Sequence, residues 1–243
     1  MGKINLVFSY FKKNLGNLNF PKTSFYHLIL YLPEWIKYRK SGRSSIIDER
    51  PWITFEALDF LKKNVLKPNY KIFEYGSGGS SFFFSKVSSE LVSVEHDKTW
   101  YEKVINALAQ KKITNVNYNL AEPEKLDKPI LNPDYSNPTQ YLSSDSFFLN
   151  NYLFKKYASA IDQFPESYFD IVFVDGRARP SCILHSVSKI KKDGFFILDN
   201  SDRGYYIDQL SKELKSFKII FSKIGPGPYG DDFWGTTIYK KIN

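Results

Sequence analysis

The chain has 243 residues, of which 42% are hydrophobic and 25% charged, the ordinary balance of a globular protein. Its length suits one α/β domain with an extension, or two small domains. The single cysteine, Cys182, excludes an intramolecular disulfide and a cysteine-based zinc site, and it favours a reducing compartment, so we expect a cytoplasmic location. No apolar run reaches the roughly 18 residues of a membrane span, and the N-terminus lacks the pattern of a signal peptide.

The net charge of +8 is concentrated in residues 1–50, where nine Lys and Arg face three acids. The stretch "SFYHLILYLPEWIKYRK" in this segment predicts a helix interrupted at Pro33. Two interpretations stay open for this basic, aromatic arm. It is either a helical cap on the main domain, with its Lys and Arg in water, or a peripheral contact with a membrane or an anionic polymer. We assign 51–243 to the main domain.

From Pro51 onward, helix and strand patterns alternate. "WITFEALDFLKKNV" has apolar residues at helical spacing, with Thr54 as its N-cap. Strand patterns cover 71–75, 91–95, 116–121, 169–175, 194–199, 218–223 and 233–240. Helical patterns between them cover 80–87, 99–111, 154–163, 180–190 and 205–214. This alternation predicts βαβ units and a mostly parallel sheet.

Two segments interrupt the alternation of strand and helix patterns. The last two strand patterns are joined by "IGPGPYGDD", whose Gly and Pro residues predict a long hairpin, so we expect the last strand to be antiparallel. Residues 123–151 carry four prolines among Asn, Asp, Ser and Tyr. Such an insertion in a compact domain is either a binding lid or an inert surface excursion.

A glycine loop, "KIFEYGSGGSS", follows the first strand pattern and precedes a helix. Gly76 and Gly78 can adopt backbone angles that let a ligand approach the main chain, and a helix starting near Ser80 directs N–H groups towards it. Glu74 precedes the first glycine by two residues and would attract an ammonium group. Glu95, 21 residues later, ends the next strand, where an acid binds ribose hydroxyls. These two acids fit S-adenosylmethionine better than NAD; the alternative is a tight turn without a ligand.

Five pieces of the chain resemble class I S-adenosylmethionine-dependent methyltransferases: "FEYGSGGSS", "VSVEHDKTWYEKV", "FDIVFVDGRARPSC", "KKDGFFILDNSDRGYY" and "FWGTTIYKK". The resemblance covers residues 52–239, without the insertion. It implies an α/β, Rossmann-like fold: a mostly parallel seven-stranded sheet with the last strand antiparallel and helices on both faces. It also implies donor contacts from Glu74, Gly76, Ser77, Gly78, Ser80, Glu95, His96, Glu122 and Asp175.

Acids and an amide follow two later strands. Because Asp175 and Asn200 are one βαβ unit apart, they and Asp199 should share one rim of the sheet. Hard oxygen ligands suit Mg²⁺, which could lower the pKa of an acceptor hydroxyl. The arrangement resembles cation-dependent O-methyltransferases, although Gly176 and Arg177 differ from the residues usual there. Otherwise, the acids only order loops near the donor.

We therefore expect catalytic roles for Asp175, Asp199 and Arg177. The Arg177 guanidinium could bind a carboxylate or phosphate on the acceptor, whereas Arg179 is more typical of a structural residue. On the loop after the fifth strand, Asp202, Arg203 and Tyr206 are further candidates to line the pocket.

The sequence thus favours O-methylation of a small molecule or saccharide, with S-adenosylmethionine as donor and Mg²⁺ as a candidate cofactor. A nucleic-acid methyltransferase is the second hypothesis, but no Asn-Pro-Pro-Tyr-type signature and no Pro-Cys nucleophile occurs. The third is a non-catalytic S-adenosylmethionine-binding module, with residues 1–50 as a membrane anchor.

Overall fold

The computed structural model describes residues 3–15, 25–39, 42–148 and 150–243. The α-helices are α1 (Lys3–Leu15), α2 (Phe25–Tyr38), α3 (Ser45–Asp48), α4 (Phe55–Phe60), α5 (Gly79–Ser85), α6 (Lys98–Gln110), α7 (Lys155–Ala158) and α8 (Arg179–Ser186). A π-helical turn, Leu61–Val65, continues α4, and short 3₁₀ turns occupy Ser159–Ile161, Gly204–Tyr206 and Glu213–Ser216.

The strands are β1 (Tyr70–Tyr75), β2 (Ser88–Glu95), β3 (Val116–Leu120), β4 (Glu124–Lys125), β5 (Tyr152–Leu153), β6 (Phe169–Val174), β7 (Ile190–Asp199), β8 (Phe217–Gly225) and β9 (Trp234–Lys241). Seven of them form one sheet in the order β3-β2-β1-β6-β7-β9-β8. All its pairs are parallel except those of β9, which runs antiparallel to both β7 and β8. The Rossmann-like prediction is confirmed, including the antiparallel last strand.

Alternating side chains of the central strands pack into two hydrophobic cores, one on each face of the sheet. Phe73, Val172 and Leu198 lie in one buried cluster, whereas Ile171 and Ile197 lie in the other. Burial on both faces explains why β6 and β7 are nearly continuous apolar runs. The chain order also reverses at β1 and β6, so a crevice opens where these two strands end.

Two helix predictions were wrong. Residues 205–214 form turns and not a helix, because the backbone leaves helical angles at Ile207, with φ −121°. Tyr206 and Leu210 still bury their side chains, so the turns satisfy the same four-residue apolar spacing. α2 is not interrupted at Pro33. Pro33 is exposed, so the carbonyl that loses its N–H partner can be hydrated.

The described part of the N-terminal arm packs on the main domain. Tyr10, Tyr31, Trp35 and Tyr38 form a buried aromatic cluster with Phe55 of α4. Its arginines are paired and not simply in water: Arg39 with Asp231 at 2.8 Å, Arg43 with Asp48 at 2.5 Å and Arg50 with Glu34 at 2.7 Å. Among the described residues, no helix combines the length and hydropathy needed to cross a membrane.

The described residues of the 123–151 insertion form a loop whose base is closed where β4 pairs with β5. Its middle is tied to the main domain, because Gln209 donates to Asp134 at 2.8 Å and Arg177 pairs with Asp145 at 3.1 Å. The insertion is therefore anchored to the segments that follow β6 and β7.

Candidate active site

A cavity of about 630 Å³ opens at the carboxyl ends of β1, β2, β6 and β7; we call it the donor cavity. It contains most of the residues that the sequence assigns to ligand binding. Its lining consists of Ser45, Trp52, Gly76, Ser77, Gly79, Ser80, Glu95, His96, Asp97, Trp100, Asp175, Gly176, Arg177, Asp199, Asn200, Gly230, Asp232 and Trp234.

The glycine loop bends sharply at the floor of the donor cavity. Gly76 has φ +85°, and a Cβ there would lie 3.1 Å from the Cα of Gly176, so the loops after β1 and β6 touch backbone to backbone. Gly78 has φ +139° and lies behind the Trp100 ring. Both positions require glycine, as the sequence predicts.

Glu95 holds this loop and the turn after β2 together. Its carboxylate accepts hydrogen bonds from the Ser77 N–H at 3.1 Å and the Ser77 hydroxyl at 2.8 Å, and from the N–H groups of His96 and Asp97. Burial alone would raise the pKa of Glu95, but the His96 imidazole and these donors outweigh it and lower that pKa. Glu95 therefore stays ionised at the cavity wall.

Aromatic side chains cover the remaining wall. Trp52, Trp100 and Trp234, three of the four tryptophans in the chain, line the donor cavity. Trp100 is fixed by a 2.9 Å hydrogen bond from its indole N–H to the carbonyl of Ser77. On the insertion side, His96 packs against Phe148. Flat apolar surfaces beside acids suit a ligand that carries both an aromatic ring and positive charge.

Three residues assigned to the donor do not line the cavity. Glu74 is fully buried beneath the loop, where Ser81 and Ser93 donate hydrogen bonds to its carboxyl group. Burial raises the pKa of Glu74 to about 7, despite these donors. Gly78 lies behind Trp100, and Glu122 is exposed beyond the end of β3.

The expected rim of polar groups after β6 and β7 is present. Asp199 is buried, and its Oδ1 accepts hydrogen bonds from the Trp234 indole at 2.9 Å and the Thr236 hydroxyl at 2.8 Å. Burial raises the pKa of Asp199 to about 6, although Arg179 opposes that rise. Burial, and then the neighbouring Asp199, also raise the pKa of Asp175, and Arg179 opposes that rise. The two carboxyl groups therefore influence each other's ionisation.

Arg179 occupies the centre of this rim. Its guanidinium lies 3.1 Å from Asp175 Oδ1, 2.8 Å from Asn200 Oδ1 and 2.6 Å from the Asp199 carbonyl. Arg179, Trp234 and Thr236 thus already contact one side-chain oxygen of each proposed magnesium ligand, Asp175, Asp199 and Asn200. No cluster of three His, Cys, Asp or Glu suited to a metal occurs among the described residues. The structural role expected for Arg179 agrees with these contacts.

Arg177 lies at the junction of two cavities. It lines the donor cavity and a second cavity of about 300 Å³, which we call the insertion chamber because residues 142–146 form one wall. Arg203 and Tyr206, both candidates from the sequence, line this chamber, whereas Asp202 turns away and accepts a hydrogen bond from the Gly235 N–H.

The sequence interpretation missed several residues of the site. Ser45, Trp52 and Trp100 come from the arm and helix regions, where nothing local marks a ligand contact. Trp234 and Thr236 reach Asp199 only because β9 inserts beside β7. The hairpin signal predicted that strand but not its place in the sheet.

No model of a known protein family and no curated protein matches the sequence. Solved structures do share the fold. SMU.1697c from Streptococcus mutans, in complex with S-adenosylhomocysteine, has a TM-score of 0.50 at 12% identity, over 77% of this chain and 96% of its own. A methyltransferase from Geobacter sulfurreducens gives 0.51 at 13% identity, over 92% and 99%. TrmN from Thermus thermophilus gives 0.51 at 11%, over 76% and 48%.

At such low sequence identities, the structural similarity shows a shared fold. It agrees with the strand order, with the antiparallel β9 and with a crevice at the ends of β1 and β6. The chain therefore has the Rossmann-like fold of class I S-adenosylmethionine-dependent methyltransferases.

Proposed function

We propose that this protein is an S-adenosylmethionine-dependent methyltransferase that binds its methyl donor in the donor cavity. The observation that carries the proposal is the cavity's chemistry at the strand-order reversal: a glycine loop, three tryptophans and an excess of acids. The acids that line it are Glu95, Asp97, Asp175, Asp199 and Asp232, with Arg177 as the single arginine among the lining residues. A sulfonium and an ammonium group would be attracted there, and an indole face also favours positive charge.

Each wall of the cavity then has a role. Glu95 is ionised at the end of β2, and its carboxylate fixes Ser77 and the turn at His96 and Asp97 where the ribose of the donor would lie. Gly76, Ser77 and Ser80 let the donor lie against the loop, and His96 flanks it. We infer that Glu74 acts from beneath, because it holds Ser81 and Ser93 and does not reach the cavity.

S-adenosylmethionine, when bound, supplies a methyl group activated by its sulfonium. The acceptor's oxygen forms the new C–O bond while the C–S bond breaks, its electron pair stays on sulfur, and the hydroxyl proton must leave. Asp199 lies at the cavity wall, and the pKa of its carboxyl group, about 6, leaves it largely ionised at neutral pH. It is the residue best placed to take that proton. Asp175 lies beside it and is held by Arg179 at 3.1 Å.

The acceptor we propose is a small hydroxylated molecule such as a saccharide. The insertion chamber is enclosed by residues 142–146 and is of monosaccharide scale, at the lower end of ligand-pocket volumes. Contacts with the phosphates of a nucleic-acid acceptor would fall to exposed lysines such as Lys12 and Lys37, because Arg39, Arg43 and Arg50 of the arm pair with acids.

The test is a calorimetric titration of the purified protein with S-adenosylhomocysteine, with Mg²⁺ and with EDTA. We expect binding of equal affinity in both. Absence of binding in both conditions would reject the donor site and with it the proposed enzyme. A gain in affinity with Mg²⁺ would show that the rim does hold a cation.

A further inference from the structure

The insertion chamber adjoins the donor cavity, and the two share Gly176, Arg177 and Asn200 in their walls. Its lining is Tyr135, Leu142, Ser143, Ser144, Asp145, Ser146, Gly176, Arg177, Ala178, Arg179, Pro180, Asn200, Arg203, Tyr205 and Tyr206. Leu142, Ala178 and Pro180 are its only apolar side chains among these. A chamber so polar is built for hydrogen bonding, and not for an apolar ring.

The lining of the chamber has more positively charged than negatively charged side chains. Three arginines, Arg177, Arg179 and Arg203, face one lining carboxylate, Asp145, which pairs with Arg177 at 3.1 Å. Arg179 is committed to the rim, where it contacts Asp175 and the carbonyl of Asp199. Arg203 donates to the hydroxyl of Tyr206 at 3.0 Å, a neutral partner. Arg203 thus has no carboxylate partner among the lining residues, although Asp202 lies close enough to act on its charge.

One further detail points to a bound group. The hydroxyls of Ser144 and Tyr205 meet at 2.6 Å across the chamber wall, so the insertion and the turn after β7 bring a joint pair of hydroxyls to the cavity. Guanidinium and hydroxyl donors that converge on a small space match carboxylate or phosphate oxygens.

We propose that the insertion chamber recognises the methyl acceptor by an anionic group, a carboxylate or a phosphate, through Arg203 and Arg177. This proposal rests on the proposed function, because it makes the acceptor a hydroxylated anion, such as a sugar acid or a sugar phosphate. With the anion held between these arginines, the rest of the molecule lies towards Asn200 and Asp199, which border the donor cavity. The anion therefore sets which hydroxyl reaches the methyl group.

The experiment measures binding of three probes to the full chain saturated with S-adenosylhomocysteine: glucuronate, glucose 6-phosphate and neutral glucose. We expect at least one of the two anions to bind at least about tenfold more tightly than glucose. Whichever binds more tightly identifies the group as carboxylate or phosphate. Equal binding of all three, or no binding of either anion, would overturn the proposal.

Substitutions of Arg203 test where the anion binds. Arg203→Gln should abolish the preference for the anion, Arg203→Lys should restore part of it, and Lys103→Gln on α6 should change nothing. Arg203 lies outside the donor cavity, so S-adenosylhomocysteine should bind Arg203→Gln with unchanged affinity; this also shows that the variant is folded. An anion preference that survives in Arg203→Gln would contradict the assignment.

The two proposals fail in different ways. If S-adenosylhomocysteine does not bind the unmodified chain, the methyltransferase proposal falls. The anions are then titrated without it: a preference that depends on Arg203 would keep the anion site, whereas no preference would remove both proposals.

Discussion

Arg179 donates a hydrogen bond to Asn200 Oδ1 at 2.8 Å and lies 3.1 Å from Asp175 Oδ1, so a guanidinium stands where a metal ion would be expected. It comes from the first turn of α8, directly after the loop that follows β6. The positive charge at this rim thus comes from an arginine side chain of the protein.

Methyl transfer should consequently be insensitive to chelation. We expect the same initial rate after dialysis against EDTA as with added Mg²⁺, once an acceptor is found. Arg179→Ala should lower the free energy of unfolding by about 3 kcal/mol or more, because it leaves buried polar groups without a partner. A rate that falls severalfold with EDTA and recovers with Mg²⁺ would contradict this.

The pH dependence of methyl transfer should follow Asp199. A base acts only when ionised, so the rate should rise with pH through about 6 and level off above that pH. Thr236→Val removes a hydrogen bond to the carboxylate and should move the midpoint upward by roughly one pH unit. Thr237→Val is the matched control: its hydroxyl bonds to Ser201, and the midpoint should stay in place.

Gly76→Val should abolish binding of S-adenosylhomocysteine. The φ of +85° strains any residue with a Cβ, and the new side chain would also press on the backbone of Asp175 and Gly176. Gly42→Val is the control for strain alone, since Gly42 has φ +80° and a Cβ there would meet no atom of the described residues within 4 Å. Both variants should lose about 1–3 kcal/mol of stability from strain, but only the first should lose binding in a calorimetric titration.

Glu95→Gln should weaken binding of S-adenosylhomocysteine by about tenfold to a hundredfold. The amide has one acceptor oxygen where the carboxylate has two, so it cannot keep all the N–H and O–H donors of Ser77, His96 and Asp97. Glu102→Gln, an exposed substitution on α6, should leave the affinity unchanged. Equal affinity in both variants would remove Glu95 from the donor site.

Glu74 should make the ligand-free protein less stable as pH rises. Its folded pKa, about 7, lies above the model-compound value of 4.5. The ionised form is therefore disfavoured in the fold, and the stabilisation present below about pH 4.5 is lost progressively up to about pH 7, by at most about 3 kcal/mol. Glu74→Gln carries no titratable proton and should flatten this decline in urea unfolding measured from pH 5 to 8. Parallel stability curves would contradict the assignment.

The sequence predicted the parallel sheet because buried strands need long apolar runs, and β6 and β7 have them. It predicted the glycine loop because glycine is the residue that most readily adopts positive φ values such as those of Gly76 and Gly78. It also brought Asp175, Asp199 and Asn200 to one rim, since the carboxyl ends of parallel strands meet at one edge.

What those groups do there could not be read from the chain. Arg179 supplies the positive charge at the rim through its contacts with Asp175, Asn200 and the Asp199 carbonyl. These contacts depend on the position of α8 beside the ends of two strands. Glu74 was expected in the cavity, but Ser81 and Ser93 hold it below the loop. Composition likewise described the arm as basic, whereas its described arginines find partners as distant in sequence as Asp231.

Because β9 lies between β7 and β8, the order of these strands in the sheet differs from their order of synthesis. A ribosome releases the glycine loop, Glu95 and Asp199 well before Trp234 and Thr236, the two side chains that fix the Asp199 carboxylate. A nascent chain that ends before β9 therefore contains the residues of the proposed donor site but lacks both hydrogen-bond donors to Asp199. The proposed base is complete only when the final strand fills the gap between β7 and β8.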